Sequence, residues 1–261
     1  MTLFECRDVH YAYPGRVPAL CGVDLTIETG TRVALIGANG SGKSTLLSLL
    51  DGLAFPQRGS IRFAGQELTE AALQDEAFAL DFRRRVGLVF QNPDVQLFCP
   101  TVREDIAFGP LQLGIDAATI ERRVEALAQE FHLEALLDRP PHRLSVGEKR
   151  KVAFATALAI EPEVLLLDEP TAGLDPRTAT HLIERLHDAV HQGRTMVIAT
   201  HDLHILADIA DVVYVFGQDR RLAASGTPEE ILTNHDLLEA NNLIHTHTRH
   251  IHDHRQYRWG G

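Results

Sequence analysis

Nine consecutive residues, Gly37-Ala38-Asn39-Gly40-Ser41-Gly42-Lys43-Ser44-Thr45, combine three glycines, a lysine and two adjacent hydroxyls. Glycines let the backbone turn its N–H groups toward one point, and a helix starting at Lys43 would aim the positive end of its dipole at the same point. Lys43 adds a mobile cation for β- and γ-phosphates, and Ser44 a hydroxyl ligand for Mg²⁺. The spacing predicts a nucleoside triphosphate held with its magnesium ion. Further along, Val164-Leu165-Leu166-Leu167 runs into the paired carboxylates Asp168 and Glu169. Asp168 is placed to face the magnesium ion through water, and Glu169 to accept a proton from, or orient, a water attacking the terminal phosphate. Met196–Thr200 is a third apolar run, and it ends at His201, an imidazole suited to bonding a γ-phosphate and positioning that water.

These groups need a scaffold that gathers strand ends. Val33–Ile36 before the glycine loop, Val164–Leu167 and Met196–Thr200 all read as buried parallel strands, whose ligands sit at their carboxyl ends. Leu46, Leu47, Leu50 and Leu53 have the spacing of one helix face after the loop. The start of the chain, to about residue 90, alternates short strands with turns such as Pro56–Gly59. Residues from about 92 to 160 lack strand signals, and Ile120, Val124, Leu127, Ala128 and Phe131 recur at helical spacing. Ser145 and Glu148 form the pattern of a capping box ahead of the helical run Lys151–Ile160. A capped helix N-terminus is also an anion site, so both readings apply there.

Composition bounds the partners. The 261 residues suffice for one large α/β domain, and 44% hydrophobic content supports a full core. The net charge of −11 argues against a nucleic-acid surface, with Arg83-Arg84-Arg85 the one local basic run singled out. Cys6, Cys21 and Cys99 are scattered without metal-ligand spacing, as reduced thiols would be. No apolar stretch reaches the roughly 18 residues of a membrane span, and the first residues lack the pattern of a signal peptide. Of 14 histidines, His245, His247, His250, His252 and His254 crowd the last part of the chain. Imidazoles suit Ni²⁺, Co²⁺ and Zn²⁺, so this stretch is a candidate metal-binding tail; an unliganded polar tail is the plain alternative.

Leu144-Ser145-Val146-Gly147-Glu148 resembles the Leu-Ser-Gly-Gly-Gln signature of the ATP-binding-cassette ATPases. The resemblance extends through Gln91 in Val-Phe-Gln-Asn-Pro, the segment Asp168–Asp175, and Thr200-His201-Asp202, covering about residues 3 to 235. It implies a P-loop (RecA-like) α/β core with an antiparallel β subdomain and an inserted helical subdomain at about 92–160, together spanning residues 1–240, with 241–261 a His-rich tail. It implies ATP and Mg²⁺ as cofactors, Tyr13 stacked on adenine, and Gln91 reaching the magnesium site. It also implies a head-to-tail dimer, with itself or with a related ATPase, in which Ser145, Gly147, Glu148 and Asp175 act on the opposite subunit's nucleotide. Val146 departs from the signature glycine, and a β-branched residue there is strained if φ is positive.

The stretch Gln96–Pro110, with Leu144–Arg150 and Pro170–Pro176, looks like the ATPases of energy-coupling-factor importers, especially their cobalt and nickel branch. That branch implies integral-membrane scaffold and substrate-binding subunits, and a peripheral place at the cytoplasmic face of the cell membrane. Uptake of a vitamin by the same machine, and a soluble cassette in DNA repair or translation, are the alternatives. The soluble class carries paired cassettes, coiled coils or zinc modules, none of which is seen in this sequence.

Overall fold

In the computed structural model, residues 1–174, 178–180, 182–184 and 193–244 are described. The strand β3 (Arg32–Gly37) shows why the protein is layered: Val33 and Leu35 point into one core, Ala34 and Ile36 into another. The same alternation holds along β7 (Val164–Asp168), β8 (Thr195–Thr200) and β9 (Val212–Phe216). A strand buried on both faces has no polar side, which is why these runs read as continuous apolar sequence.

Among the described residues the central sheet has six strands in the order β10-β9-β3-β8-β7-β6, with β6 at Val86–Val89 and β10 at Leu222–Gly226. All neighbours are parallel except β10, which pairs antiparallel with β9. Gly37, Asp168, Thr200 and the segment after Val89 therefore emerge along one edge. A second sheet, β2-β1-β4-β5, is antiparallel: β1 is Thr2–Tyr13, β2 Val17–Glu28, β4 Arg58–Phe63 and β5 Gln66–Glu67. Its inner residues Phe4, Val23, Ile27, Ile61 and Phe63 share a core with Leu46, Leu47, Leu49 and Leu50 of α1 (Lys43–Leu50).

The opposite core packs against α3 (Val102–Gln112), α4 (Ala117–Phe131) and α5 (Val146–Leu158). On α4 the five residues predicted from helical spacing are all buried. α3 and α5 both open with complete capping boxes, Thr101–Glu104 and Ser145–Glu148. Among the described residues of this helical stretch there is no strand, and no described helix is long and apolar enough to cross a membrane.

Three expectations are corrected. Leu53 is not on the helix face: α1 ends at Leu50, Gly52 turns the chain with φ +69°, and Leu53 is 58% exposed. The turn placed at Pro56–Gly59 ends earlier, because Arg58 and Gly59 already belong to β4. Gly59 meets β1 so closely that a Cβ there would lie 2.1 Å from the Asp8 carbonyl oxygen. The strain expected at Val146 is absent: it is the first residue of α5, without positive φ, and its side chain is exposed. The basic run falls in the last turn of α2 (Glu76–Arg85). There Arg84 bonds the Leu113 carbonyl, and Arg85 pairs with Asp81 and Glu163 over the Phe63 ring. Cys6, Cys21 and Cys99 are free thiols.

Candidate functional site: a phosphate cavity at the sheet's carboxyl edge

The loop from Gly37 to Gly42 turns directly into α1, whose N-cap is Gly42 with φ +110°. A side chain at Gly42 would be strained, and its Cβ would strike the Ala19 carbonyl oxygen at 2.4 Å. No side chain caps the helix and no acid sits in its first turn, so its leading N–H groups face the cavity undiluted. Lys43 is buried, and its Nζ donates to the carbonyls of Gly37 (2.8 Å) and Ala38 (3.3 Å). Burial lowers its pKa against the opposing pull of Glu169 and Asp168. Ser41 is buried with an unpartnered hydroxyl.

Ser44 Oγ donates to Asp168 Oδ1 at 2.9 Å across 124 residues of sequence. Burial raises the Asp168 pKa, partly offset by this hydrogen bond. Ser44 and Gln91 line one cavity, and with Asp168 bonded to Ser44 they offer the hard oxygen donors a magnesium ion takes, so the residues fit that ion. The cavity encloses about 470 Å³, lined by Asn39, Gly40, Gly42, Lys43, Ser44 and Thr45, with Gln91 and Glu169 opposite. Tyr13, 46% exposed, stands at its rim and bonds Thr45 Oγ1 through its hydroxyl at 3.1 Å.

Glu169 is buried and left-handed, with φ +47°. A non-glycine residue in that region costs about 1–3 kcal/mol and persists only where its surroundings over-determine it. Here they do. Its N–H donates to the Ala199 carbonyl at 2.8 Å, and its carbonyl accepts from Arg150 Nη1 at 2.8 Å. Its carboxylate accepts from Thr200 Oγ1 (3.2 Å) and bonds His201 Nδ1 (2.8 Å). The predicted catalytic pair, Glu169 and His201, is thus in direct contact.

Arg150 and Thr200 are residues whose roles the sequence reading did not assign. Arg150, buried within α5, also reaches the Gln91 carbonyl through Nη2 at 2.8 Å, tying the helix to the ends of β6 and β7. Burial lowers its pKa while Asp168 and Glu169 raise it. No sequence signal marked it, because Arg150 stands in the charged run Glu148-Lys149-Arg150-Lys151, which reads as a solvated face. Gln96 braces the loop after Gln91, bonding Phe90 N–H, the Ala153 carbonyl and Thr156 Oγ1.

Ser145, Gly147 and Glu148 do not line this cavity. Ser145 and Glu148 bond each other in the cap, which holds the Glu148 carboxyl below its usual range. A Cβ on Gly147 would meet only Leu174, at 3.9 Å, so nothing in this chain demands glycine there. Asp175 and His245, His247, His250, His252 and His254 lie outside the described residues.

A glycine-loop strand–helix unit beside strand-end carboxylates defines a P-loop nucleotide-binding protein. The family model described as ABC transporter matches residues 20–172. The nickel import ATP-binding protein NikO of Rhodobacter capsulatus is 53% identical over 92% of this chain and 95% of its own length. The energy-coupling factor transporter ATP-binding protein EcfA of Methanoculleus marisnigri is 45% identical over 93% of this chain and 86% of its own length. Among solved structures, cbiO1 from Clostridium perfringens, part of the ABC transporter complex cbiONQ, aligns with TM-score 0.76 at 34% identity, covering 93% of this chain and 95% of that one. The chain belongs to the ABC transporter family, as an ATP-binding, ATP-hydrolysing cassette.

Proposed function

We propose that this chain energises an energy-coupling-factor type importer of a transition-metal ion, nickel or cobalt. The likeness to NikO over nearly the whole chain carries the choice of cargo. The five clustered histidines near the end of the sequence support it.

In this reading Lys43 and the loop N–H groups hold the phosphates, and Tyr13 stacks on adenine. Ser44, Asp168 and Gln91 hold Mg²⁺, which when bound neutralises phosphate charge. Glu169 takes the proton of the attacking water, and His201, bonded to it, positions that water against the γ-phosphate. The exposed cap at Ser145, Gly147 and Glu148 completes the nucleotide site of a second cassette, with Asp175 alongside. The freedom around Gly147 supports this, since a partner's phosphate would supply the close approach that this chain does not. Residues 1–240 form the cassette, with about 92–160 its helical subdomain.

Membrane subunits would dock in a groove of about 430 Å³ near Gln91, whose lining includes Phe82, Phe98, Phe108 and Gln96. Phe98 is 65% exposed and packs edge-on to Phe108 at 4.9 Å, an aromatic surface suited to an apolar helix end. That would hold the chain peripherally at the cytoplasmic face of the membrane.

The test is uptake of radiolabelled Ni²⁺ and Co²⁺ by cells carrying this chain with its membrane subunits, against Lys43→Ala. Metal uptake should depend on the intact lysine, and the variant should lose ATP binding. Lysine-dependent uptake of a vitamin, with none of either metal, would replace the metal reading.

A further inference from the structure

One arginine at the nucleotide cavity has a backbone conformation that favours glycine. β9 turns into β10 through Gln218, Asp219 and Arg220. The Gly217 N–H donates to the Arg221 carbonyl at 2.9 Å, and the Arg220 N–H to the Gly217 carbonyl at 3.1 Å. Hairpin loops of this length end in a left-handed residue, and glycine is its ordinary occupant. Here that residue is Arg220, with φ +64°. A Cβ is strained in that region, and such strain persists where another interaction gains from it.

The surroundings of Arg220 point to the nucleotide. Its carbonyl accepts from the Cys21 N–H at 3.0 Å, which fastens the turn to the free edge of β2. Two residues back along β2, about 7 Å away, Ala19 presents its carbonyl to Gly42 at the head of α1. The half-buried Arg220 side chain lines the same cavity as Gly42, Lys43 and Tyr13. Among the described residues its guanidinium has neither a hydrogen bond nor an ion pair. The comparably buried Arg32, Arg85 and Arg123 each pair with a carboxylate. A chain of net charge −11 repels a polyphosphate, and an unpaired cation on the cavity wall offsets that locally.

We propose that Arg220 is a nucleotide-binding residue whose guanidinium takes the α-phosphate of ATP and of ADP. Lys43 and the loop N–H groups hold the β- and γ-phosphates and Tyr13 the base, and the α-phosphate joins those two parts. Arg220 reaches the cavity from the edge of β2 that also carries Ala19 against Gly42. A guanidinium offers parallel N–H donors that match phosphate oxygens. ADP keeps the α-phosphate, so the contact holds substrate and product alike and raises affinity without speeding the chemical step. The assignment rests on Lys43 marking the phosphate end of the cavity and Tyr13 the base end. It is independent of the transported cargo.

The experiment uses the full chain, with calorimetry against Mg²⁺–ADP and the non-hydrolysable β,γ-imido analogue of ATP, steady-state hydrolysis and thermal unfolding. Arg220→Gly should bind both nucleotides about tenfold more weakly, the low end for a charge-assisted bond because the guanidinium is half-exposed. The KM for ATP should rise by a similar factor while kcat stays within about twofold. Its Tm should hold or rise, because glycine accepts the left-handed backbone without strain. A more stable fold with weaker nucleotide binding is not what loss of a structural arginine produces. Arg220→Asn, another residue tolerant of that conformation, should weaken binding alike, and Arg220→Lys should fall between these and the parent. Three results would each overturn the proposal. They are parental affinity for both nucleotides in Arg220→Gly and Arg220→Asn, a loss confined to the ATP analogue with ADP unchanged, or a Tm far below the parent in both variants. Lys43→Ala, measured alongside, separates the two levels of the reading. If it too binds nucleotide as the parent does, the cavity is not the phosphate site. If it loses nucleotide while the Arg220 variants bind normally, only the role of Arg220 falls.

Discussion

Replacing Arg150 by Met should loosen the catalytic edge without touching the phosphate loop. The guanidinium makes two short hydrogen bonds, to the carbonyls of Glu169 and Gln91, from a buried position on α5. Charge-assisted bonds of this kind contribute about 1.5–3 kcal/mol each, and the orphaned buried carbonyl of Glu169 costs about 1–3 kcal/mol. Removing the buried charge recovers part of its desolvation penalty, so the expected net loss is about 2–4 kcal/mol. At about 2–4 °C per kcal/mol for a chain near this size, Tm should fall by roughly 4–16 °C. Function should suffer separately. The left-handed backbone of Glu169 is held on one side by Arg150 and on the other by Ala199, and its relaxation moves the carboxylate. A misplacement near 1 Å costs on the order of 10²-fold in rate. Steady-state hydrolysis well below the transition should therefore drop tenfold or more, while nucleotide affinity stays near wild type because Lys43 and its loop are unchanged. Arg150→Lys, a single point donor, should recover only part of both losses. An Arg150→Met protein with unchanged Tm and unchanged turnover would refute this account of how Glu169 is held.

Glu169→Gln should keep ATP bound and lose about 10²-fold or more in turnover, since an amide cannot take the water's proton; single-turnover hydrolysis at the parental rate would remove Glu169 from the chemistry. Val146→Gly should leave ATP affinity of the single chain intact and hydrolysis within about twofold, because Val146 is an exposed, unstrained first helical residue. A marked fall in turnover would reveal a contact made by its side chain across a dimer. Asp51 lines the aromatic groove, and burial pushes its carboxyl up to about 7 from 3.8. The folded protein then keeps that proton to higher pH than the unfolded chain, so stability from this group is full below about 4 and lost as pH rises to about 7. Urea denaturation of Asp51→Asn should show an advantage over the parent that grows between pH 4 and 7 and is flat above; an advantage that shrinks over that range would contradict the assignment.

Local chemistry made much of this protein legible in its sequence. The glycine loop, the Ser145–Glu148 cap and the apolar strands ending in Asp168–Glu169 and His201 depend on neighbouring residues, and turn geometry, capping and two-sided burial act over a few positions. Family resemblance named the cassette on those same short motifs. Tertiary structure decided the rest. The Ser44–Asp168 bond spans 124 residues because β3 and β7 flank β8 in a parallel sheet, and no periodicity reports strand order. Likewise, only the sheet brings Thr200 onto the Glu169 carboxylate, and only the packing of α5 brings Arg150 onto its carbonyl. The left-handed φ at Glu169 is imposed by those contacts against its own preference. Leu53 looked like one more helix-face leucine, but the chain turns at Gly52 and leaves it in solvent. Val146 looked strained beside a signature of glycines, yet the helix begins there and gives it an ordinary backbone. Leu243 and Ile244 likewise come to line one cavity with Glu169 and His201 only through the tertiary packing of the chain's last described residues against the core.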